Sequence, residues 1–295
     1  MRKIAFILFM AVCGLTYGQK NIKELVRNGE TWTEPGSKTP YTGAFVEYFD
    51  NGKLMGTGAF KAGLPDGLRT IYYPNGSKKN ETNYNSGVKE GKSIDYHENG
   101  KVSQEGMFEK GLAEGTWRIY YPDGVSKAVL NFSKGSEKGD YMEYNTAGKL
   151  TAQYYISNGE TGYSPEFMKV TQEASAFAKQ GKTKEAIELY DQAVKLNPTV
   201  AQVYHKRGVL KANAMSFEEA IRDYDLAIEL DPKYKEAYSN RGISKINILN
   251  AQNGAGKKPT AAEAKSACED FHKAVSLGDK SMGTEDMIFL YCKKK

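Results

Sequence analysis

The chain has 295 residues, a formal net charge of +5, and 20 tyrosines beside 30 glycines. That length suits two domains. The charge is small and spread without a basic stripe, which argues against nucleic acid as a partner, and the tyrosine and glycine counts point to a turn-rich β region.

Residues 1–18 read as a secretory signal. Arg2 and Lys3 form a basic start, Ile4 to Val12 an apolar run, and Thr16 and Gly18 the small residues before a cleavage site at Gln19. Lipidation at Cys13 is the competing reading, against which Val12 stands as a poor preceding residue. The apolar run is too short for a permanent anchor, and no other segment is apolar enough to span a bilayer. The mature chain is therefore expected to be periplasmic, with outer-membrane association an option. Removal of Arg2 and Lys3 takes the charge from +5 to +3 and leaves Cys268 and Cys292 as the cysteines. In an oxidising compartment that pair favours a disulfide worth ~3 kcal/mol on the loop-entropy model, with two buried thiols as the alternative. No CxxC or HExxH spacing suggests a metal, and no cofactor is expected.

Residues 19–42 form a lead-in segment to a strict repeat over 43–162. Gly43, Gly67, Gly91, Gly115 and Gly139 are 24 residues apart, as are Gly52, Gly76, Gly100, Gly124 and Gly148, and Gly63, Gly87, Gly111, Gly135 and Gly159. Tyr48, Tyr72, Tyr96, Tyr120 and Tyr144 keep the same step, and Phe60, Tyr84, Phe108, Phe132 and Ile156 add a further row. Alternation leads to each tyrosine, then a turn such as "DNG", "PNG" or "PDG" follows. Pro74 and Pro122 suit the first central place of a type I turn, with the glycine at φ > 0, which gives a three-residue hairpin loop. Five hairpins in series predict one antiparallel sheet ~50 Å long in the hydrogen-bonding direction. These residues, with "Y-x-x-N-G-K" and the flanking aromatics, closely resemble the MORN repeat in its bacterial variant form. The fixed tyrosines are expected to stack as a ladder on one face. Phe45, Phe49, Ile71, Tyr73, His97, Trp117, Ile119 and Tyr121 fall on the other, where they either bury or form a partner-binding patch.

At Tyr163 glycine thins and alanine rises. After a linker at 163–166, with Ser164 as helix cap and Pro165 in the first turn, the chain repeats every 34 residues. Ala186, Tyr190, Ala193 and Pro198 match Ala220, Tyr224, Ala227 and Pro232; Tyr204 with Gly208 matches Tyr238 with Gly242. This pattern resembles the tetratricopeptide repeat, a helix pair per unit. Three units are expected over 167–282, the third lengthened by a loop around "NAQNGAGKKPT", with a capping helix and tail at 283–295 pinned by Cys268–Cys292. The fold class expected is an α+β multidomain repeat protein: an N-terminal single-sheet hairpin array and a C-terminal all-α solenoid.

The tetratricopeptide resemblance implies a concave groove, lined by first helices, that binds segments of partner proteins. Carried onto this chain, that face comprises Thr171, Ser175, His205, Lys206, Val209, Asn213, Ser239, Asn240 and Ile243; the bland alternative is a solvated helix face. The carboxylate-clamp form of the family needs Lys and Asn where this chain has Thr171 and Ser175, which puts capture of a C-terminal carboxylate there in doubt. The three histidines His97, His205 and His272 lack a catalytic context, and no phosphate loop or nucleophile elbow is present. The reading is a non-enzymatic periplasmic scaffold that brings protein partners together, with envelope or outer-membrane proteins as the expected partners. The alternatives are peripheral lipid or glycan contact by the hairpin array, and an antitoxin-like role that some relatives of the array carry.

Overall fold

The computed structural model describes residues 19–254 and 257–292. The signal segment and Cys13 lie outside the described residues. Two compact units are present: one built on residues up to Lys149 with Ile156–Glu160, the other on Leu150–Tyr155 and residues from Thr161 onward.

In the first unit the lead-in segment supplies β1 (Lys20–Asn21) and a small hairpin of β2 (Val26–Asn28) and β3 (Thr31–Thr33). β1 pairs in parallel with β4 (Gly43–Tyr48). The array continues through β5 (Leu54–Lys61), β6 (Leu64–Pro65), β7 (Gly67–Tyr72), β8 (Lys78–Asn85), β9 (Val88–Tyr96), β10 (Val102–Glu109), β11 (Leu112–Tyr120), β12 (Ser126–Ser133), β13 (Ser136–Glu137) and β14 (Gly139–Tyr144). The long strands pair antiparallel in chain order, with β6 beside β5 and β13 beside β12.

The turns explain the glycine rows. Phe49 N–H donates to Lys53 O and Gly52 N–H to Phe49 O, both at 2.9 Å, and Gly52 has φ +79°. This is the three-residue loop expected from the sequence. Its Asn is chosen for the side chain: Asn51, Asn75 and Asn99 each accept from the backbone N–H two residues on. The second turn of each unit is a two-residue loop with both φ positive, as at Ala62 (+50°) and Gly63 (+79°), or Lys110 (+51°) and Gly111 (+82°). Side chains from 20 residues upstream hold these turns: Thr42, Asp66, Glu90 and Glu114 accept from the N–H of Ala62, Ser86, Lys110 and Lys134.

Register explains the aromatic rows. Gly43 pairs with Phe60, Gly67 with Tyr84, Gly91 with Phe108 and Gly115 with Phe132. Cross-strand partners share a face, but a Cβ on Gly67, Gly91 or Gly115 would meet nothing within 4 Å, and these glycines hold φ of +85°, +80° and +67°, so this row serves the backbone rather than the rings. On that face Phe45 stacks on Phe60 at 4.5 Å, and Trp117 meets Phe108 at 5.2 Å and Phe132 at 6.0 Å. The expected stack of fixed tyrosines is corrected. Among the described residues their rings do not contact one another; the hydroxyls of Tyr96 and Tyr120 donate instead to Glu81 and Glu105 on the preceding unit. The second aromatic row reaches forward: Tyr73 hydroxyl donates to Tyr96 O, His97 Nε2 pairs with Tyr120 O, and Tyr121 hydroxyl donates to Tyr144 O. Hydrogen bonds in both directions thus join the units.

The strands β15 (Leu150–Ser157) and β16 (Glu160–Gly162) follow. Residues Leu150–Tyr155 group with the helices because Gln153 donates to Leu196 O at 2.7 Å and accepts from Asn197 at 2.9 Å. The division into compact units thus falls earlier than the linker expected at 163–166. The helices are α1 (Pro165–Lys179), α2 (Thr183–Leu196), α3 (Ala201–Asn213), α4 (Phe217–Leu230), α5 (Lys235–Asn253), α6 (Lys265–Ser276) and α7 (Met282–Met287). Ser164 Oγ caps α1 by accepting from Phe167 N–H. Ala186, Ala193, Ala220, Ala227 and Ala274 are fully buried. Gly208 and Gly242 face the rings of Tyr224 and Phe271, where a Cβ would lie 2.8 and 2.6 Å from the nearest ring atom. Cys268 and Cys292 are disulfide-bonded, with Cα atoms 5.5 Å apart. No helix among the described residues is long and apolar enough to cross a membrane.

Candidate functional site

Two consecutive helical repeats bring one set of polar and apolar side chains together. On α3, Val209, Ala212 and Asn213 share a face by their i, i+3, i+4 spacing; on α5, Asn240, Ile243, Ser244 and Asn247 do the same. With Phe217 and Tyr224 of α4 they line a cavity of about 150 Å³. Of the groove residues expected from sequence, Val209, Asn213, Asn240 and Ile243 meet here. Asn247 was missed, although it stands 34 residues after Asn213, the equivalent place in the next repeat.

His205 closes one end of this set. Its Nδ1 lies 3.0 Å from Tyr234 hydroxyl and its Nε2 2.9 Å from Asn240 Nδ2. An amide nitrogen only donates, so Nε2 accepts and the imidazole is neutral. Burial lowers the His205 pKa, and Lys206 adds to this, while Glu236 opposes it. His205 is held by packing on Tyr234 at 4.8 Å, and its Nε2 in turn orients the Asn240 amide.

Other expected groove residues behave differently. Thr171 hydroxyl donates back to Phe167 O and Met168 O within its own helix. Ser175 is half-buried, and Lys206 is exposed. Ser239 is corrected: it is buried and bonded to Thr284 Oγ1 at 2.7 Å, so the capping helix α7 covers it and it presents nothing to a groove.

The expected β-face patch is also corrected in part. Phe45 is buried under Leu25, Tyr41, Ile22 and Trp32 of the lead-in segment. Trp117 is buried between Phe108 and Phe132, over Gly106, where a Cβ would come 2.1 Å from the indole. Tyr73, His97 and Tyr121 spend their polar tips on the next unit's backbone. Phe49, Ile71 and Ile119 are half-buried. The large apolar side chains that do stand exposed on the first unit include Leu68, Val88, Met107 and Leu112.

A charge ladder, buried at Asp223 and Asp270, joins neighbouring helices. Arg207 bonds Asp223 and Asp191, and Lys211 joins Asp223 at 2.9 Å. One repeat later Arg241 bonds Asp270 and Asp225, and Lys245 joins Asp270 at 2.7 Å. Asp223 and Asp270 are almost fully buried, so each needs both cations. Among the described residues no group of His, Cys, Asp and Glu is placed to hold a metal ion.

Comparison with known proteins agrees with the repeats. Residues 41–62, 65–86, 89–110 and 113–134 match the MORN repeat variant. Residues 174–213 match the TPR repeat and 201–234 the tetratricopeptide repeat. The chain therefore carries four MORN-variant repeats followed by tetratricopeptide repeats; the fifth hairpin lies beyond the match. No curated protein matches the chain. Similar solved structures include the Sgt2 TPR domain from Aspergillus fumigatus, at 25% identity over 42% of this chain and 74% of that one, TM-score 0.35. The Arabidopsis OM64 TPR domain is 22% identical over 41% and 89%, TM-score 0.35. The second TPR domain of human RPAP3, solved with an HSP70 peptide, is 22% identical over 44% and 97%, TM-score 0.37.

Proposed function

We propose that this protein is a non-enzymatic scaffold of the cell envelope that holds an extended segment of a protein partner in the groove between α3 and α5. The observation that carries the reading is the convergence of Asn213, Asn240 and Asn247 with Val209 and Ile243 on one cavity. Side-chain amides offer a donor and an acceptor each, the pattern a peptide backbone matches, while the apolar pair receives a side chain. The tetratricopeptide matches support protein partners as the class. Export rests on the reading of residues 1–18, and the envelope setting follows from it.

The test is a crosslinking pull-down of the tagged protein from its native cells, read by mass spectrometry beside cell fractionation. The reading expects an envelope protein that co-purifies with the native chain and is reduced at least ~10-fold with Val209→Arg, about 1.4 kcal/mol. Capture that survives Val209→Arg and Asn247→Arg alike would overturn the groove. Recovery of the protein in the cytoplasm would overturn the envelope setting.

A further inference from the structure

We propose that a second site lies in the first unit, at the end of the array closed by the lead-in segment, and that it takes a small monocarboxylate with an aromatic or branched apolar body. It is independent of the groove. A cavity of about 540 Å³ opens there, walled by Trp32, Phe45, Phe60 and Val88, with Arg27 and Arg69 among its lining. That size falls in the ordinary range for small-molecule sites, and the walls set apolar side chains beside Arg27, Glu30, Glu47, Arg69 and Ser86.

The repeat itself marks Arg69 as out of place. Its row at 24-residue spacing is Phe45, Arg69, Ser93, Trp117 and Tyr141. Nothing in the pairing of the sheet calls for a guanidinium on the face where rings stack. Arg69 lies 6.0 Å over the Phe45 ring, beside the buried Glu47. Both bonds to Glu47 leave from a single nitrogen, Nη2, at 3.1 and 2.9 Å. Nη1 meets no acceptor among the described residues, and Nε is buried with none. A guanidinium only donates, so Arg69 keeps donors that Glu47 leaves unmet, while Glu30 and Glu47 in the lining balance Arg27 and Arg69 in charge. Arg27 adds another cation, whose Nε goes to Gly29 O at 3.2 Å.

A ligand suited to these unmet donors brings acceptor oxygens, and a carboxylate fits the planar fork of an arginine best. The rings and Val88 select an apolar body. Glu30 and Glu47, both part of the lining, disfavour a second negative charge. Such a head could belong to a free small acid or to the C-terminus of a protein chain.

Isothermal titration of the full chain with N-acetyl-L-phenylalanine, N-acetyl-L-leucine and phenylacetate tests this. At least one acid is expected to bind one-to-one with Kd below roughly 1 mM, and N-acetyl-L-phenylalaninamide at least ~10-fold more weakly. Val88→Phe, which narrows the cavity, is expected to weaken binding at least ~10-fold. The double variant Glu47→Gln with Arg69→Gln, which removes the pair without stranding a buried charge, is expected to weaken it at least ~10-fold while circular dichroism stays unchanged. Once an acid binds, an acetylated tetrapeptide ending in phenylalanine separates the sources: equal affinity assigns a chain terminus, exclusion a free acid. Absence of binding by all three acids, or equal binding of acid and amide, overturns the proposal.

Discussion

Gly208 sits where α3 meets the Tyr224 ring, and a Cβ there would lie 2.8 Å from a ring carbon that is itself almost fully buried. Helix propensity alone favours alanine over glycine by up to ~1 kcal/mol. Packing wins, because the ring cannot retreat from a filled core. Gly208→Ala is therefore expected to destabilise the helical unit by ~1–3 kcal/mol, measured as a lower urea midpoint at constant slope. Asp223 makes a larger case. Its replacement by alanine leaves Arg207 and Lys211 facing each other in a half-buried site, and ~3–5 kcal/mol is expected to be lost. His205 gives the pH dependence. Its folded pKa is lowered by burial, so below its ordinary value of about 6.5 the unfolded chain takes up the proton first. This contribution to stability is present above that pH and is lost as pH falls through and beneath it. Thermal unfolding between pH 7 and pH 5 is expected to fall more steeply for the native chain than for His205→Gln.

At the scale of elements, the hairpins show which parts of the fold were legible. The three-residue turns were readable because Asn, Gly and Pro act on their own backbone, and the needed dihedral is local. The tetratricopeptide pairs were readable because alanine and glycine recur wherever helices close up. The role of the tyrosines was not, because their partners lie 15 residues back and those of the second row 23 residues forward. Periodicity gives the row but not which polar atom meets it. Ser239 was misread for a related reason: the same repeat position is groove in one unit and is covered by α7 in the last. The cavity beneath the lead-in segment was missed, although Arg69 interrupts its row. The two-residue turns carry a prediction of their own. Lys110 holds φ +51°, which costs an L-residue ~1–2 kcal/mol that glycine avoids. Lys110→Gly is expected to stabilise the array by up to ~1 kcal/mol after the added chain entropy, and Lys110→Val to destabilise it, both read from thermal midpoints.

At the scale of the molecule, the helical unit is short for a solenoid, and in such arrays each repeat is held mainly by its neighbours. The last repeat has a neighbour on one side and the short α7 with its C-terminal turn on the other. Ile246, Ala267 and Phe271 are buried with Met287, Ile288 and Tyr291 packed against them, and Cys268–Cys292 fastens that cover over a sequence separation of 24. Closing a loop of that length removes ~3 kcal/mol of unfolded-chain entropy. Cys292→Ser is thus expected to lower the stability of the helical unit by about that amount, loosening α5 and α6 before α1 and α2. Hydrogen exchange separates this from a general loss: amides of α5 and α6 should lose protection while those of β7 to β12 keep theirs. Uniform loss across both units would show that the bond does not act through the last repeat. The same comparison under reducing conditions links structure to compartment, since a cover that needs its disulfide holds best where thiols are oxidised.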